Sequence, residues 1–219
     1  AVIVSFSSKE FDMNETDMTV KAFSAGIAGG EIKGQGQITD YLKRQAYTAD
    51  IVISGLSPAP FVPDLGTGGT FEGSINGNFK IQGAGFDPNT MIKGLVSEGV
   101  ITVEKGKLTN FNVLKVVLDK ISVIPNLAEK VTAALPEQYR QQLESQDTVF
   151  QKIAIQTKMI NGVVNIEPAE VVSDVFAVMA KGSCDIDQNV DLTTVQFSIP
   201  PAVSNAMVAG VKELSVLQD

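Results

Sequence analysis

The sequence predicts a mainly β fold: one sheet of repeated strand pairs, interrupted by a helical insert at about 111–145. Three observations carry this. Residues 70–82, TFEGSINGNFKIQ, place Phe71, Gly73, Ile75, Gly77, Phe79 and Ile81 on one side. Glu72, Ser74, Asn76, Asn78, Lys80 and Gln82 fall on the other, the two-residue period of a half-buried strand. Glycine-bounded alternation also recurs. GGEIKGQGQI (29–38) resembles GGTFEGSINGNFKI (68–81), and GVITVE (99–104) resembles GVVNIE (162–167), as strand pairs repeated along one sheet would. Finally, the period changes to three and four after Asn112, which marks a helix.

In chain order, MTVKAF (18–23) leads into 29–38, where Ile32, Gly34, Gly36 and Ile38 share a face. TADIVISGL (48–56) puts Ala49, Ile51 and Ile53 together. The segment 57–69 holds three prolines and is excluded as a central strand. The strand over 70–82 would span about 43 Å at about 3.3 Å per residue. FDPNT (86–90) predicts a turn around Pro88 and Asn89. GVITVEKGKL (99–108) predicts a strand ending in a turn near Lys105-Gly106.

Val113, Leu114, Val117, Leu118 and Ile121 then outline an amphipathic helix, stopped by Pro125. Helix resumes over Asn126–Leu135, and Pro136 opens a further short helix through Leu143. Strands return at 149–159, with Val149, Ile153, Ile155 and Met159 on one face, and at 161–171, 174–186 and 189–199. In the last of these Val195, Phe197 and Ile199 fall together. Pro200-Pro201 ends the strands, and a terminal helix is expected over 201–217. The whole chain, 1–219, is expected to form a single elongated β domain.

Composition narrows the function. Of 219 residues, 44% are hydrophobic and 19% charged, which suits a packed core rather than disorder. The net charge of −8 and pI of about 4.6 disfavour nucleic acid and anionic surfaces as electrostatic partners. The chain has no histidine, which removes Ser-His-Asp and Cys-His catalysis and the commonest transition-metal ligand. Cys184 is the single cysteine, so it forms no internal disulfide or zinc cluster. It is expected to be a small buried side chain. No apolar run reaches the roughly 18–20 residues of a membrane span. The chain starts at AVIVSFSS without a signal peptide, and the expectation is either a cytoplasmic protein or a processed or excised piece of a larger one.

The motifs with chemical potential are weak ones. GxG occurs at Gly34-Gly36 and Gly83-Gly85, but strand or loop is expected to follow each, not the helix that completes a phosphate loop. Glycines on an apolar strand face instead permit bulges, bends or close approach. Asp12, Glu15 and Asp17 cluster, as do Asp185, Asp187 and Asp191. The second group could form a calcium site, but lacks a glycine-rich calcium loop; a solvated polar face is the expectation. No metal and no cofactor is expected.

The apolar strand faces carry Ile32, Ile38, Ile51, Ile53, Phe71, Ile75, Phe79, Ile81, Ile101 and Val103. They form either an ordinary core under the helical insert or a lipid-facing groove. Several long strands present more apolar face than roughly 35 helical residues cover, and a large uncovered patch marks an interaction site.

Five stretches resemble the C-terminal region of the AsmA family of bacterial envelope proteins. They are FSAGIAGGEIKGQGQI, ADIVISGL, GTFEGSINGNFKIQGAG, GLVSEGVITVEKGKLTNFNVLKVV and IQTKMINGVVNIEPAEVVSDVFAVMAKGSCDIDQNVDLTTVQFSI. Their order and spacing carry the resemblance over most of residues 18–199. It implies a long, curved antiparallel sheet forming a groove or half-barrel with a hydrophobic concave face. It also implies an N-terminal inner-membrane anchor, absent from this chain, and a periplasmic body. A role in phospholipid movement between membranes and in outer-membrane integrity is implied too, with no catalytic residue to carry over. The expected function is therefore non-enzymatic. Its expected partners are phospholipid or another acyl-chain ligand, the remaining segments of the full-length protein and envelope proteins, and no nucleic acid. The alternative is a structural or protein-interaction module whose core is closed by its own helices.

Overall fold

The computed structural model describes residues 3–62, 69–121, 133, 135–187 and 189–210. The fold is mainly β, as expected. One antiparallel sheet of eleven strands dominates it. The strands are β1 (Ile3–Met13), β2 (Met18–Ile27), β3 (Gly30–Thr39), β4 (Ala46–Leu56), β5 (Phe71–Ala84), β6 (Val96–Leu108), β7 (Thr148–Val149), β8 (Lys152–Ile160), β9 (Val163–Val172), β10 (Ala177–Asp185) and β11 (Val190–Ser198). Among the described residues four helices accompany them: α1 (Pro88–Gly94), α2 (Val113–Ile121), α3 (Glu137–Glu144) and α4 (Pro201–Gly210). The order across the sheet follows the chain, β1 through β6 and then β8 through β11, with β7 a short addition to β6. The sheet does not close; β1 and β11 are its edges.

A sequential antiparallel meander follows from short connections between alternating strands. β5 runs for 14 residues, long for a strand, because its neighbours β4 and β6 pair along nearly its full length.

The structure departs from the sequence expectations in five places. The turn at 86–90 is the start of α1. Asp87 Oδ1 accepts hydrogen bonds from the Thr90 backbone N–H at 3.1 Å and from Thr90 Oγ1 at 3.2 Å, and Pro88 takes the first helical position. Asp and Pro serve a helix start as well as a turn. The turn near Lys105-Gly106 is a bulge inside β6. Ser74 pairs with Glu104 and Glu72 with Lys107, so β6 holds one extra residue there, and Lys105 takes a left-handed φ of 52°.

The single strand expected over 149–159 is split into β7 and β8. Gln151 N–H turns to the Val172 carbonyl at 2.7 Å while the Phe150 ring reaches Phe71 and Phe176. β10 begins at Ala177 rather than 174, because Val175 and Phe176 are buried in the turn before it. Cys184, expected to be buried, is half-buried. Sequence alternation singles out neither β1 nor the bulge at Glu167-Pro168, which takes Pro168 out of the β8–β9 ladder. The helix expected over Asn126–Leu135 lies outside the described residues apart from 133 and 135, as do 211–217 of the terminal helix.

The packed core sits at one end of the sheet. Among the described residues the buried apolar side chains are Leu56, Pro58, Leu108, Leu114, Leu135, Leu143, Ile153, Val175, Phe176 and Val203. Leu56 and Leu108 end β4 and β6, Pro58 follows β4, and Ile153 lies near the start of β8. The rest come from α2, α3, α4, the 173–176 turn and Leu135. A chain of rings, Phe71–Phe150–Phe176–Phe197, ties this cap to the strands, with centroids 6.1, 6.4 and 5.4 Å apart.

Asn112 fastens the two helices of the insert to each other. Its Oδ1 accepts from the Lys115 N–H at 3.0 Å and caps α2. Its Nδ2 donates to the carbonyls of Gln142, Leu143 and Ser145 at 3.0, 3.2 and 2.8 Å, closing the end of α3. Replacing Asn112 by Ala should cost about 2 kcal/mol in urea unfolding, one cap plus orphaned carbonyls. Asn112→Asp keeps the α2 cap but sets a carboxylate oxygen against the three carbonyls, so it should not restore stability.

Lys107 and Asp147 join β6 to the segment before β7. Their charged atoms lie 2.7 Å apart, and Asp147 also accepts from the Asn110 N–H at 2.9 Å. The Lys107 ammonium, followed by the Asn110 N–H, holds the Asp147 carboxyl below the usual carboxylate range. A folded pKa below the unfolded one gives stability that is present above the unfolded value and lost as pH falls through the folded one. Melting temperature should therefore decline on acidification below about pH 4, and Asp147→Asn should flatten that limb.

Candidate functional site

Cross-strand partners share a face of a sheet, so the register can be followed from strand to strand. One row reads Phe6, Ala25, Ile32, Ile53, Gly77, Ile101, Ile155, Ala169, Ala180 and Val195. It crosses ten strands without a polar side chain. At about 4.8 Å per strand it is about 43 Å long. The next row, away from the cap, is Ser8, Phe23, Gly34, Ile51, Phe79, Gly99, Thr157, Ile166, Gly182 and Leu192. Beyond it run Phe11, Val20, Gly36, Ala49, Ile81, Ser97, Met159, Val164, Cys184 and Val190. A shorter fourth row is Met13, Met18, Ile38, Tyr47 and Gly83. On the cap side lie Leu56, Ile75, Val103, Ile153, Val171, Val178 and Phe197.

The ten side chains that the sequence singles out are spread over these rows. Ile32, Ile53 and Ile101 share the central row. Ile51 and Phe79 share the second, Ile81 lies in the third and Ile38 in the fourth. Ile75 and Val103 lie on the cap side. Phe71 pairs with Leu108 and touches the cap through Phe150. None of the ten is fully buried; all are half-buried. The buried helical side chains Leu114, Leu143 and Val203 gather on Val175 and Phe176 instead.

The ten candidate residues stop at β6, although alternation beyond it already groups Ile153, Ile155 and Met159, and Val195 with Phe197. Ile155, Ala169, Val171, Val178 and Val195 continue the same rows. Alternation in 149–199 carries the signal, but the bulge at Glu167-Pro168 and another at Thr193 shift the phase.

The row glycines accept neighbouring rings. A Cβ on Gly34 would sit 2.7 Å from Phe23 Cζ, and one on Gly99 would collide with the Phe79 ring. Large residues thus lie flat over small ones, which keeps the face low and smooth. Tyr47 lies over Gly83 in the same way, stacks on Phe86 at 6.4 Å, and burial pushes its phenol pKa up.

The other face is wet. One of its rows reads Gln35, Asp50, Lys80, Glu98, Lys158 and Asn165, and Gln35 Nε2 donates to Asp50 Oδ2 at 3.1 Å. Glu31 bonds Lys33 at 2.7 Å and Ser24 Oγ at 2.6 Å; Lys33, then Ser24, holds its carboxyl below the usual range. A depression of about 510 Å³ lies here, lined by Asp50, Val52, Asn78, Lys80, Glu98, Val100, Gln156 and Glu167 with the backbone between them. Ile51, Phe79, Gly99 and Thr157 of the second row also line it.

Among the described residues, no group of three or more His, Cys, Asp or Glu is arranged to hold a metal ion. The Asp185 carboxylate is used within its own turn, accepting from the Asn189 side chain at 2.8 Å and from the N–H groups of Asn189 and Asp187 at 2.9 Å. The Asn189 side chain is the main cause that keeps its pKa low. No described helix is long and apolar enough to cross a membrane.

Comparison with protein families finds that the model of the AsmA family matches residues 2–169. Comparison with curated proteins and with solved structures gives no significant match.

Proposed function

This chain belongs to the AsmA family, and from that premise we propose that it is a non-enzymatic module whose apolar rows shelter the acyl chains of phospholipid. Membership fits an envelope-associated protein. The proposal places the module in the periplasm, as part of a protein anchored in the inner membrane, and gives it a role in phospholipid transport and outer-membrane integrity. The observation that carries it is the central row: ten consecutive apolar positions, running edge to edge, with Ile32, Ile53 and Ile101 only half-buried.

The physical account is simple. Each methylene moved from water onto such a face gains about 0.8 kcal/mol. A dozen methylenes then gives about 10 kcal/mol before the cost of ordering the chain. A lipid headgroup stays in water beyond the sheet, so no buried polar partner is needed. The reading assigns no bond-making step to any residue.

Native mass spectrometry of gently purified protein tests this. Phospholipid at near one or more molecules per chain is expected, removable by detergent and rebound from vesicles. Protein recovered free of lipid, which also takes up none from vesicles, would remove the basis of the proposal.

A further inference from the structure

The two edges of the sheet are built differently. β1 carries Lys9, Glu10 and Asp12, and Glu10 takes a left-handed φ of 55°. Lys21 of β2 reaches the Glu10 and Asp12 carboxylates at 3.3 and 3.2 Å. Charges and a kinked backbone are how a free edge is blunted. Among the described residues β11 carries less of this protection, its one such device being a bulge at Thr193. It contains no proline or lysine, its one charge is Asp191, and all nine residues are exposed.

A bulge sets the pattern of β11. Leu192 pairs with Gly182 and Thr194 with Lys181, which leaves Thr193 as the extra residue. Plain alternation would send Val195 and Phe197 to the wet face. The extra residue returns them to the apolar face beside Val190 and Leu192, and puts both threonines on the wet face.

The strand then reads the same from either end. Let a second β11 lie antiparallel to the first, about a two-fold axis normal to the sheet and centred between Thr193 and Thr194. Val190 then faces Phe197, Leu192 faces Val195, Asp191 faces Gln196 and Thr193 faces Thr194. Apolar pairs and Thr pairs are the cross-strand combinations that stabilise a sheet, and no like charges meet. A two-fold contact of this kind is self-complementary and closes on itself.

We infer that β11 is a self-pairing edge through which two copies of this chain join into one continuous sheet. The apolar rows run across the junction. This does not depend on the lipid reading, since it rests on the edge alone.

Sedimentation over a range of protein concentrations tests it, with circular dichroism confirming that each variant is folded. The natural chain should show a monomer–dimer equilibrium. Gln196→Lys sets a lysine opposite the partner's Asp191, twice per interface, and should tighten the dimer roughly fivefold. Gln196→Glu sets two carboxylates against each other and should loosen it by a similar factor. Leu192→Lys should leave monomer only. A natural chain that is monomeric at every concentration, or Gln196 variants that shift the equilibrium in the same direction, would overturn the inference. So would a dimer that survives Leu192→Lys or is cross-linked through β1.

Discussion

Replacing Phe176 by Ala should lower the unfolding free energy by about 3–5 kcal/mol, the largest stability loss expected from a single side chain in the described residues. Phe176 is 2% exposed, meets Phe150 edge-on and stacks on Phe197. It also shares the cluster of Leu114, Leu135, Leu143, Val175 and Val203. A typical domain has only about 5–15 kcal/mol in total, so this one truncation removes a large part. The comparison that gives the result meaning is Ile101→Ala. Ile101 lies in the middle of the longest apolar row but is half-buried, so its truncation should cost about 1–2 kcal/mol by lost transfer alone. Urea unfolding of both variants measures the difference. Equal losses would mean that the mid-sheet face is packed as tightly as the cap.

The second large effect concerns two neighbours on β4. Ile53 lies in the central apolar row, and Val52 lies on the wet face, 50% exposed. Ile53→Glu should cut lipid occupancy at least tenfold, because a carboxylate on the track must either be neutralised or keep its water against the acyl chain. Val52→Glu should leave occupancy unchanged. Quantifying the phospholipid extracted per chain from both variants checks this. The same loss in both would point to general unfolding rather than to a face.

Much of the fold is legible in the sequence because strand alternation is a local property. Phe71 to Ile81 alternates without interruption, and the pairing register keeps Ile75, Gly77, Phe79 and Ile81 on one face of β5. Asn112 and Pro136 mark the starts of α2 and α3 for reasons local to a helix terminus: an amide that can cap and a ring that fits the first turn. Events that depend on partners far along the chain are not legible in this way. The bulges at Lys105, Glu167-Pro168 and Thr193 exist only relative to the strand alongside, and each resets the phase of the residues beyond it. For that reason sequence alternation outlines faces on the single strands beyond β6, such as Ile153 with Ile155, but does not join them to the rows of β3 to β6. Phe150 reads as part of a strand because its neighbours alternate; its ring is drawn instead to Phe71 and Phe176, which are 79 and 26 residues away in sequence. The insert is legible as helix but not in its placement. Whether such a helix covers a sheet or ends it depends on tertiary contacts, here those of Leu114 and Leu143 with Val175 and Phe176.

The face and the cap thus divide the labour of the chain. The cap holds the buried apolar side chains at one end, and this leaves the mid-sheet rows stable without being filled. Edge to edge, the central row is apolar on every strand, and in the next row rings lie over Gly34 and Gly99 rather than standing up from the face.

Adjacent positions on β5 allow the most direct test. A photo-activatable phenylalanine analogue at Phe79 sits in the second apolar row, and the same analogue at Asn78 faces the wet side. Irradiation in the presence of phospholipid vesicles, followed by mass spectrometry of the intact chain, should yield a protein–phospholipid adduct from position 79 and none from position 78. Equal labelling at both positions, or labelling at 78 alone, would contradict an acyl-chain track on the apolar face.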